Sequence, residues 1–258
     1  MKKIFFTFDN TIRAKKLKKK FLKKYNHYPL RQAEVIIVGG GDGFMLETLK
    51  KFEKFKKPFF GINCGSFGFL MNKNIDLNLI KRINKTKKII LKPLEISIKK
   101  NNSLKKLLAI NELSIFRQSK QTASIQIKSN KKNLLKNLIG DGIIVSTPAG
   151  STAYNLSVSG PILSLNSNKL AITPISPFRP RRWKGKTINN TNVIEIINLD
   201  TKKRPIAAVA DNVEVRDIKK VTIKINKKSI FTILYDKNKG LDTRIKEEQL
   251  IKNKKNNY

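Results

Sequence analysis

The sequence predicts two domains of different fold class, an α/β domain with a parallel sheet followed by an antiparallel all-β domain. Over the first part of the chain, apolar runs and amphipathic stretches alternate as strand and helix, an order typical of parallel βαβ units. Beyond Pro93, apolar residues recur at every second position, the spacing of half-exposed strands. The 258 residues exceed the usual domain size of about 100–150, which favours two domains. We therefore assign residues 1–93 to the α/β domain, 94–235 to the β domain and 236–258 to a C-terminal segment.

Three strand and helix pairs are predicted in the N-terminal domain. Ligands of a parallel sheet bind beyond the carboxyl ends of its strands. The loops Gly39–Gly43 and Cys64–Gly68 follow such ends, so we expect both to face one crevice of a Rossmann-like sheet. The predicted strands are Ile4–Phe8, Val35–Val38 and Pro58–Asn63, and the predicted helices are Thr11–Tyr25, Asp42–Phe52 and Ile75–Ile83.

The β domain is predicted from period-two alternation with asparagine-rich turns between the runs. No internal repeat is present, and Ile245–Tyr258 is expected to be a frayed, solvated end. The alternating runs include Ile96/Ile98, Ile125/Ile127, Val193–Ile197, Val213/Val215 and Val221/Ile223/Ile225.

The loop Gly39–Gly43 indicates phosphate binding. Glycines permit positive φ and bring backbone N–H groups close to a ligand, and a helix N-terminus attracts anions. The dinucleotide pattern G-x-G-x-x-G and the P-loop pattern both require glycine where Phe44 stands, so neither applies. Asp42, between Gly41 and Gly43, is either a helix N-cap or a catalytic carboxylate, and the loop alone leaves both interpretations open.

Two polar motifs interrupt the β domain. Asn111–Glu112 combine a carboxamide and a carboxylate, which can hold a diol and the edge of a purine, although a strand end turned to solvent is the alternative. The second motif is the segment Gly140–Leu163. In it Asp141 precedes a predicted strand, Ile143–Val145, and the strand is followed by many small hydroxylated residues, which let a ligand approach the backbone. Tyr154 adds a ring face and a hydroxyl, the alternative being a polar turn with one core tyrosine.

Composition excludes several classes of protein. One cysteine, Cys64, and one histidine, His27, exclude a disulfide framework, Cys/His zinc sites and any triad needing a second histidine. Asp9 interrupts the N-terminus before a signal-peptide core forms, and no apolar run approaches the ~18 residues of a membrane span, so we expect a cytoplasmic protein with no membrane partner.

The net charge of +37 is expected to attract anionic substrates. Of the 55 basic residues, 45 are lysines spread along the whole chain. Proteins that recognise bases and phosphates through bidentate hydrogen bonds favour arginine over lysine. The predominance of scattered lysines therefore argues against a specific nucleic-acid partner.

The motifs together resemble those of bacterial NAD kinases. Gly40–Gly43, Gly61–Leu70, Asn111–Glu112 and Ser146–Ser157 occur in the order and spacing of that family, and Leu170–Trp183 is similar to the form of alphaproteobacterial members. Gly-Gly-Asp-Gly alone is shared with diacylglycerol kinases and phosphofructokinases, whereas Thr-Ala-Tyr-Asn separates NAD kinases from those relatives. The resemblance covers nearly the whole chain.

This resemblance implies an enzyme that transfers the γ-phosphoryl group of ATP to the 2′-hydroxyl of the adenosine ribose of NAD, giving NADP. It implies Mg²⁺ or another divalent ion without an assigned side-chain ligand, and a homodimer or homotetramer. The β domain would carry most of the NAD site, and the C-terminal segment would pack back on the first domain. The residues implied are Asp42 as the catalytic residue; Gly39, Gly40, Gly41 and Gly43 as the phosphate loop; and Asp42, Gly43, Asn111, Glu112, Asp141, Ala149, Thr152, Ala153, Tyr154, Asn155, Leu156 and Ser157 as NAD-binding residues.

By the same resemblance, Asp42 acts as general base or as organiser of the metal, and Asp211–Asn212 approach the site in some members. Two positions depart from the pattern. Ile139 stands where many relatives carry a basic residue, so that a phosphate contact is either missing or supplied by another residue. Ala149 stands where several relatives carry threonine. A lipid or sugar kinase with the same glycine loop, and a basic nucleic-acid-binding protein, are the alternative functions.

Overall fold

The computed structural model of the chain describes residues 2–65, 68–73, 78–101 and 103–236. It divides into an α/β unit, which joins the chain up to Leu91 with the segment that begins at Ser229, and a β unit, Lys92–Lys228. The strands are β1 (Ile4–Phe8), β2 (Val35–Gly40), β3 (Phe59–Asn63), β4 (Lys87–Leu91), β5 (Leu94–Lys99), β6 (Leu104–Ala109), β7 (Glu112–Arg117), β8 (Ala123–Ser129), β9 (Lys132–Gly140), β10 (Gly142–Ser146), β11 (Lys169–Ile175), β12 (Lys186–Asn189), β13 (Ile194–Asn198), β14 (Ile206–Ala210), β15 (Val213–Val215), β16 (Lys220–Ile225) and β17 (Phe231–Tyr235). The α-helices are α1 (Ile12–Lys24), α2 (Asp42–Lys51), α3 (Leu79–Asn84) and α4 (Tyr154–Ser157).

The α/β unit contains one sheet in the order β1-β2-β3-β17-β4. Neighbouring strands from β1 to β17 run parallel, and β4 runs antiparallel to β17 at the edge. The predicted α/β class is confirmed, but the sheet is mixed rather than wholly parallel. The antiparallel member is β4, which was not among the predicted strands and which joins the edge of the sheet by pairing with β17.

Helix α1 shows why this part of the sequence folds as an amphipathic helix. The Thr11 hydroxyl accepts a hydrogen bond from the Ala14 N–H at 3.3 Å and so caps the first turn. Ala14 and Leu17 are buried in a core with residues of β1, β2 and β3, while the lysines face solvent. Of the helix predicted over 75–83, residues 75–77 lie outside the described residues, and α3 begins after Asn78, whose side chain caps it.

The β unit is a sandwich of two six-stranded antiparallel sheets, β12-β11-β10-β7-β14-β15 and β6-β5-β16-β13-β8-β9. Inward side chains of both sheets form one apolar core, for example Ile96 and Ile127 from one sheet and Ile115 and Ile143 from the other. The period-two alternation that predicted an antiparallel β domain is therefore confirmed. No helix in the described ranges is long and apolar enough to cross a membrane.

One boundary differs from the sequence-based assignment. We placed residues up to 235 in the β domain, but β17 lies in the α/β sheet between β3 and β4. The sequence of β17, FTILY, is typical of a strand in either sheet, so it does not indicate which sheet the strand joins. Of the C-terminal segment 236–258, only Asp236 is described.

Candidate functional site

The segment Gly39–Gly43, called the glycine turn below, contains glycines in two different environments. Gly39 and Gly40 belong to β2, where a Cβ would lie 2.5 Å from Cδ1 of Phe8 and 2.7 Å from Cδ1 of Phe44, respectively. A Cβ on Gly41 or Gly43 would meet no atom within 4 Å, so these two leave open space for a ligand. None of the glycines from Gly39 to Gly43 uses the positive φ that glycine permits, and among the described glycines only Gly185 adopts it.

Asp42 is the first residue of α2, and the N-cap is Gly41. The interpretation of Asp42 as an N-cap is therefore wrong, although its charge suits the first turn of a helix. Its carboxylate accepts hydrogen bonds from the backbone N–H groups of Phe69 (2.7 Å, to Oδ2) and Leu70 (2.9 Å, to Oδ1). A Cβ on Gly68 would lie 3.0 Å from Oδ1, so a larger residue there would press against the Asp42 carboxylate. The carboxylate of Asp42 is thus held in one orientation beside the open glycines.

Strand β17 holds the segment that binds Asp42. The Tyr235 hydroxyl donates a hydrogen bond to the carbonyl oxygen of Phe69. The buried amide of Asn72 donates to Leu234 O at 2.9 Å and accepts from Asp236 N at 3.0 Å. No local motif connects these residues, because their positions are so far apart in the chain, and the sequence therefore did not predict them.

An ion pair between Arg82 and Asp236 lies at the end of β17 in the α/β unit. Arg82 donates from Nε and Nη2 to the two carboxylate oxygens of Asp236, at 3.0 and 2.5 Å. The Arg82 side chain is only 8% exposed, and its guanidinium lies 5.2 Å from the centre of the Phe60 ring. A bidentate, mostly buried pair of this kind fixes the end of β17.

In the β unit, Asn111 and Glu112 lie at the bend between β6 and β7 and turn inward. Glu112 is buried, which rules out the alternative of a strand end facing solvent. Oδ1 of Asn111 and Oε2 of Glu112 are both buried without a hydrogen-bond partner. Burial, followed by the nearby charge of Asp211, raises the pKa of Glu112 to about 8, so it carries a proton at neutral pH.

Asp211 organises the backbone of this bend. It adopts a left-handed conformation with φ of 51°, and its carboxylate accepts hydrogen bonds from the N–H groups of Ile110 and Asn111, each at 2.9 Å. The resemblance indicated this position only weakly. Its role in this structure is to fix the backbone that presents Asn111 and Glu112.

The loop Thr147–Ala153 packs directly against Asn111. Thr147 donates from its N–H to Asn111 O at 2.9 Å and from its hydroxyl to Ile110 O at 2.7 Å. A Cβ on Gly150 would lie 2.2 Å from Asn111 O, so only glycine fits. Ala149 is buried in this loop, and Oγ1 of Thr152 is a third buried polar atom without a partner.

Residues 153–157 differ in burial and in their contacts. Asn155 is fully buried, donates to the carbonyls of Ser151 and Pro161, and accepts from the Thr173 hydroxyl at 2.7 Å, so its side chain locks the loop. Tyr154 is 37% exposed, which rules out the alternative of a core tyrosine, and its ring stacks on Phe116 with centroids 5.8 Å apart. Ala153 and Leu156 are half-buried and Ser157 is exposed.

Asp141 lies where the chain passes from one sheet of the sandwich to the other. Its carboxylate accepts a hydrogen bond from Nε of Arg117 at 2.5 Å, and both side chains are more than one-third exposed. Ile139 pairs with Arg179 in an isolated antiparallel bridge, with its N–H donating to Arg179 O at 2.8 Å. Arginines that sequence analysis did not assign thus accompany both Asp141 and Ile139.

Within the described ranges, no group of three or more His, Cys, Asp or Glu side chains is placed to hold a metal ion. Mg²⁺ takes one or two carboxylates together with substrate phosphates. The partly buried carboxylate of Asp42, beside glycines that leave open space, fits that requirement.

Comparison with known proteins places these features in one family. Residues 110–236 match the family model of the ATP-NAD kinase C-terminal domain. The chain is 45% identical over 242 residues to an NAD kinase of Zymomonas mobilis, covering 93% of this chain and 94% of the relative. It is 44% identical over 245 residues to an NAD kinase of Brucella melitensis, covering 95% of each.

Two solved structures share the fold. A yeast NADH kinase complexed with NADH matches with a TM-score of 0.74 at 18% identity, covering 95% of this chain and 86% of that one. An NAD kinase from Archaeoglobus fulgidus in complex with ATP matches with a TM-score of 0.71 at 23% identity, covering 95% of each chain. The similarity to the bacterial NAD kinases sets aside the alternatives of a lipid or sugar kinase and of a nucleic-acid-binding protein. On the extent and degree of its similarity to the bacterial relatives, the chain belongs to the NAD kinase family.

Proposed function

We propose that the protein transfers the γ-phosphoryl group of ATP to the 2′-hydroxyl of the adenosine ribose of NAD, producing NADP. The observation that carries this proposal within the fold is the set of buried polar atoms without partners, Asn111 Oδ1, Glu112 Oε2 and Thr152 Oγ1. Leaving such atoms unsatisfied costs about 1–3 kcal/mol each, so a site that retains three of them is built to receive a polar ligand.

The chemistry of these groups suits the adenosine end of a dinucleotide. Because Glu112 is protonated at neutral pH, it can donate a hydrogen bond as well as accept one. Asn111 offers a carbonyl oxygen and an amide beside it. Together they match the mixed donors and acceptors of a ribose diol and a purine edge. The stacked, partly exposed ring of Tyr154 offers a face for a base.

Asp42 is the proposed catalytic residue, either as general base for the 2′-hydroxyl or as organiser of the metal. Phosphoryl transfer depends mainly on positioning and on stabilising charge. The two backbone N–H groups that hold the Asp42 carboxylate supply the positioning. Gly41 and Gly43 leave room for the reacting groups. A divalent ion bound with ATP would neutralise charge on the phosphates, with Asp42 as the carboxylate that faces it.

The remaining assignments also belong to this proposal. Within the β unit, the loop Ala149–Ser157 binds NAD, and Asn155 is the residue that holds this loop. Gly43 of the α/β unit is also assigned to NAD binding on the family resemblance. Asp141, paired with Arg117, serves the nicotinamide end. The family resemblance further supports a cytoplasmic homodimer or homotetramer, which light scattering on the purified protein would test.

The activity is tested by incubating purified protein with ATP, Mg²⁺ and NAD, and detecting NADP with an NADP-specific dehydrogenase. We expect NADP to accumulate in proportion to enzyme and to require all three components. No NADP above background, from a protein that unfolds cooperatively, would contradict the proposal.

A further inference from the structure

An open cavity of about 430 Å³ lies in the β unit between strands β9 and β12. Each of these strands is the last of its sheet, so each has a neighbouring strand on one side only. Small-molecule sites commonly enclose about 300–1,000 Å³, so the cavity has room for a metabolite-sized ligand. None of the residues that line it belongs to the candidate site described above.

The charge of this cavity favours an anion. Its walls include Lys132 of β9, Lys169 of β11 and Lys186 of β12, and no Asp or Glu is among the described residues that line it. Within the described ranges, none of the three lysines forms an ion pair with a carboxylate. A concave surface lined by charges of one sign concentrates ions of the opposite sign.

The edge of β12 adds hydrogen-bond donors. The register pairs Asn189 with Lys169, and beyond that pair the N–H of Asn190 donates to Asn168 O at 2.9 Å. Hydrogen-bonded and non-hydrogen-bonded pairs alternate in an antiparallel ladder, so the N–H groups of Thr187 and Asn189 point away from β11, to the open side of β12. The Asn189 side chain in turn accepts a hydrogen bond from Nζ of Lys169 at 2.8 Å, which holds that cation beside the strand.

The floor of the cavity is aliphatic. Ile188 belongs to the core of the sandwich, Leu134 packs against that core, and both line the cavity. Beside them, Nδ2 of Asn192 donates to Oγ of Ser129 at 2.8 Å, which fixes the chain between β12 and β13 against the end of β8. A ligand therefore meets cations and hydrogen-bond donors at the walls and apolar carbon at the floor.

We propose that this cavity binds a small molecule that carries phosphate groups, with Lys132 and Lys186 as its principal contacts. Lysine binds phosphate as a point charge, and the three lysines come from three different strands, so they can contact different oxygens of a tetrahedral group. The aliphatic floor suits the carbon body of an organic phosphate, whereas the cations alone suffice for inorganic pyrophosphate. The proposal concerns residues outside the candidate site and does not depend on the proposed function.

Acetylation of lysines, measured by mass spectrometry, locates the bound anion. The full chain is treated with a limiting amount of acetic anhydride, with and without inorganic pyrophosphate. We expect pyrophosphate to lower the acetylation of Lys132 and Lys186 at least about threefold, because a bound anion occupies their amino groups. Lys136 of β9 and Lys184, which are exposed but do not line the cavity, should react equally in both samples. Unchanged acetylation of the cavity lysines would contradict the proposal.

Two double variants test whether the cavity or the general positive charge binds the anion. Lys132→Ala/Lys186→Ala removes two cations of the cavity, and Lys136→Ala/Lys184→Ala removes two exposed cations from the same parts of the chain. Lys169 remains in both, so the pyrophosphate concentration that halves its acetylation measures the affinity of this cavity alone. We expect that concentration to rise at least about 10-fold in the first variant, which loses hydrogen bonds to a charged ligand. It should stay within about twofold of wild type in the second, because solvent and salt screen exposed charges that do not touch the ligand.

Thermal unfolding of both variants checks that they fold. An equal loss of affinity in two folded variants would overturn the proposal, because the anion would then respond to the lysines in general. A parallel titration with fructose 1,6-bisphosphate distinguishes the two sources of phosphate. Half-protection of Lys169 at a lower concentration of the sugar bisphosphate than of pyrophosphate assigns the cavity to organic phosphates, and the reverse order assigns it to inorganic ones.

Discussion

At the scale of single residues, two carboxyl groups have opposite environments. Asp42 is partly exposed, and two backbone N–H groups hold its carboxylate oxygens. Glu112 is buried beside a second carboxylate, and its Oε2 has no hydrogen-bond partner. Burial and the like charge of Asp211 favour the neutral form of the Glu112 carboxyl group. The two residues are therefore suited to different tasks, reaction for Asp42 and recognition for Glu112.

We expect Asp42→Asn to bind NAD but to lose about 10²–10⁴-fold in turnover, the usual contribution of a positioned acid–base group. The measurement is kcat together with NAD affinity and thermal unfolding. Glu47→Gln, which changes an exposed carboxylate on the same helix, is the control. Near-normal turnover in a folded Asp42→Asn variant would contradict a catalytic role, and a defect that lessens with more Mg²⁺ would identify Asp42 as organiser of the metal.

The buried carboxyl of Glu112 predicts a pH-dependent stability. Its pKa is raised from 4.5 to about 8 in the folded chain, so between these values the folded state keeps a proton that the unfolded state has lost. This group's contribution to the free energy of unfolding is therefore highest below about pH 4.5 and falls as pH rises towards about 8.

Glu112→Gln lacks this titration. We expect the variant to gain on the order of a few kcal/mol relative to wild type between about pH 5 and about pH 9, as measured by denaturant unfolding at each pH. The exposed Glu214→Gln serves as control. A stability difference between wild type and Glu112→Gln that does not change with pH would show that folding does not raise the pKa of Glu112.

At the scale of elements, β17 acts on Asp42, the proposed catalytic residue, through an intervening segment. Tyr235 and Asn72 connect β17 to residues 69–72, and Phe69 and Leu70 bind Asp42 through their N–H groups. A strand from the end of the chain thereby helps to set the orientation of a carboxylate at the beginning of α2. Tyr235 is in this sense a positioning residue.

We expect Tyr235→Phe to lower kcat about 3–10-fold, the scale of one hydrogen bond, with KM for NAD little changed. In an Asp42→Asn background the same change should cost less, because the two residues act through one another. Tyr25→Phe is the matched control, since its hydroxyl accepts a hydrogen bond from the Leu79 N–H in the same unit. An equal loss of kcat in both tyrosine variants, or full additivity with Asp42→Asn, would assign Tyr235 a structural role alone.

At the scale of the whole molecule, the net charge of +37 acts on substrates. Lysines cover the chain generally, so the field attracts anions without defining a specific surface. ATP carries more negative charge than NAD, and its capture should therefore respond more strongly to salt.

We expect KM for ATP to rise about 2–10-fold between about 50 mM and about 300 mM salt, because screening shortens the reach of exposed charges. KM for NAD should rise less, and kcat should stay within about twofold. Steady-state kinetics at constant Mg²⁺ measure all three. A KM for ATP that is independent of salt would show that the global charge does not contribute to donor capture.

The sequence by itself determined the two fold classes, the position of the glycine turn and the order of the polar motifs. These features depend on local periodicity and on short spacings, which a linear pattern records directly. The α/β and β classes were predicted from periods in Ile4–Phe8 and in Ile96/Ile98, and both are confirmed. The resemblance to NAD kinases, carried by Gly40–Gly43 and Thr152–Asn155, is confirmed by the relatives.

Only the tertiary structure decided which distant residues hold these side chains in place and which of them is protonated. Asp42 binds an N–H 27 residues away, Phe69 meets a tyrosine 166 residues away, and Asn111 is fixed by Asp211 at a separation of 100. The insertion of β17 beside β3 and the protonation of Glu112 follow from the same kind of contact. Burial and hydrogen bonding between distant segments have no signature in local spacing, and they exist only once the chain has folded.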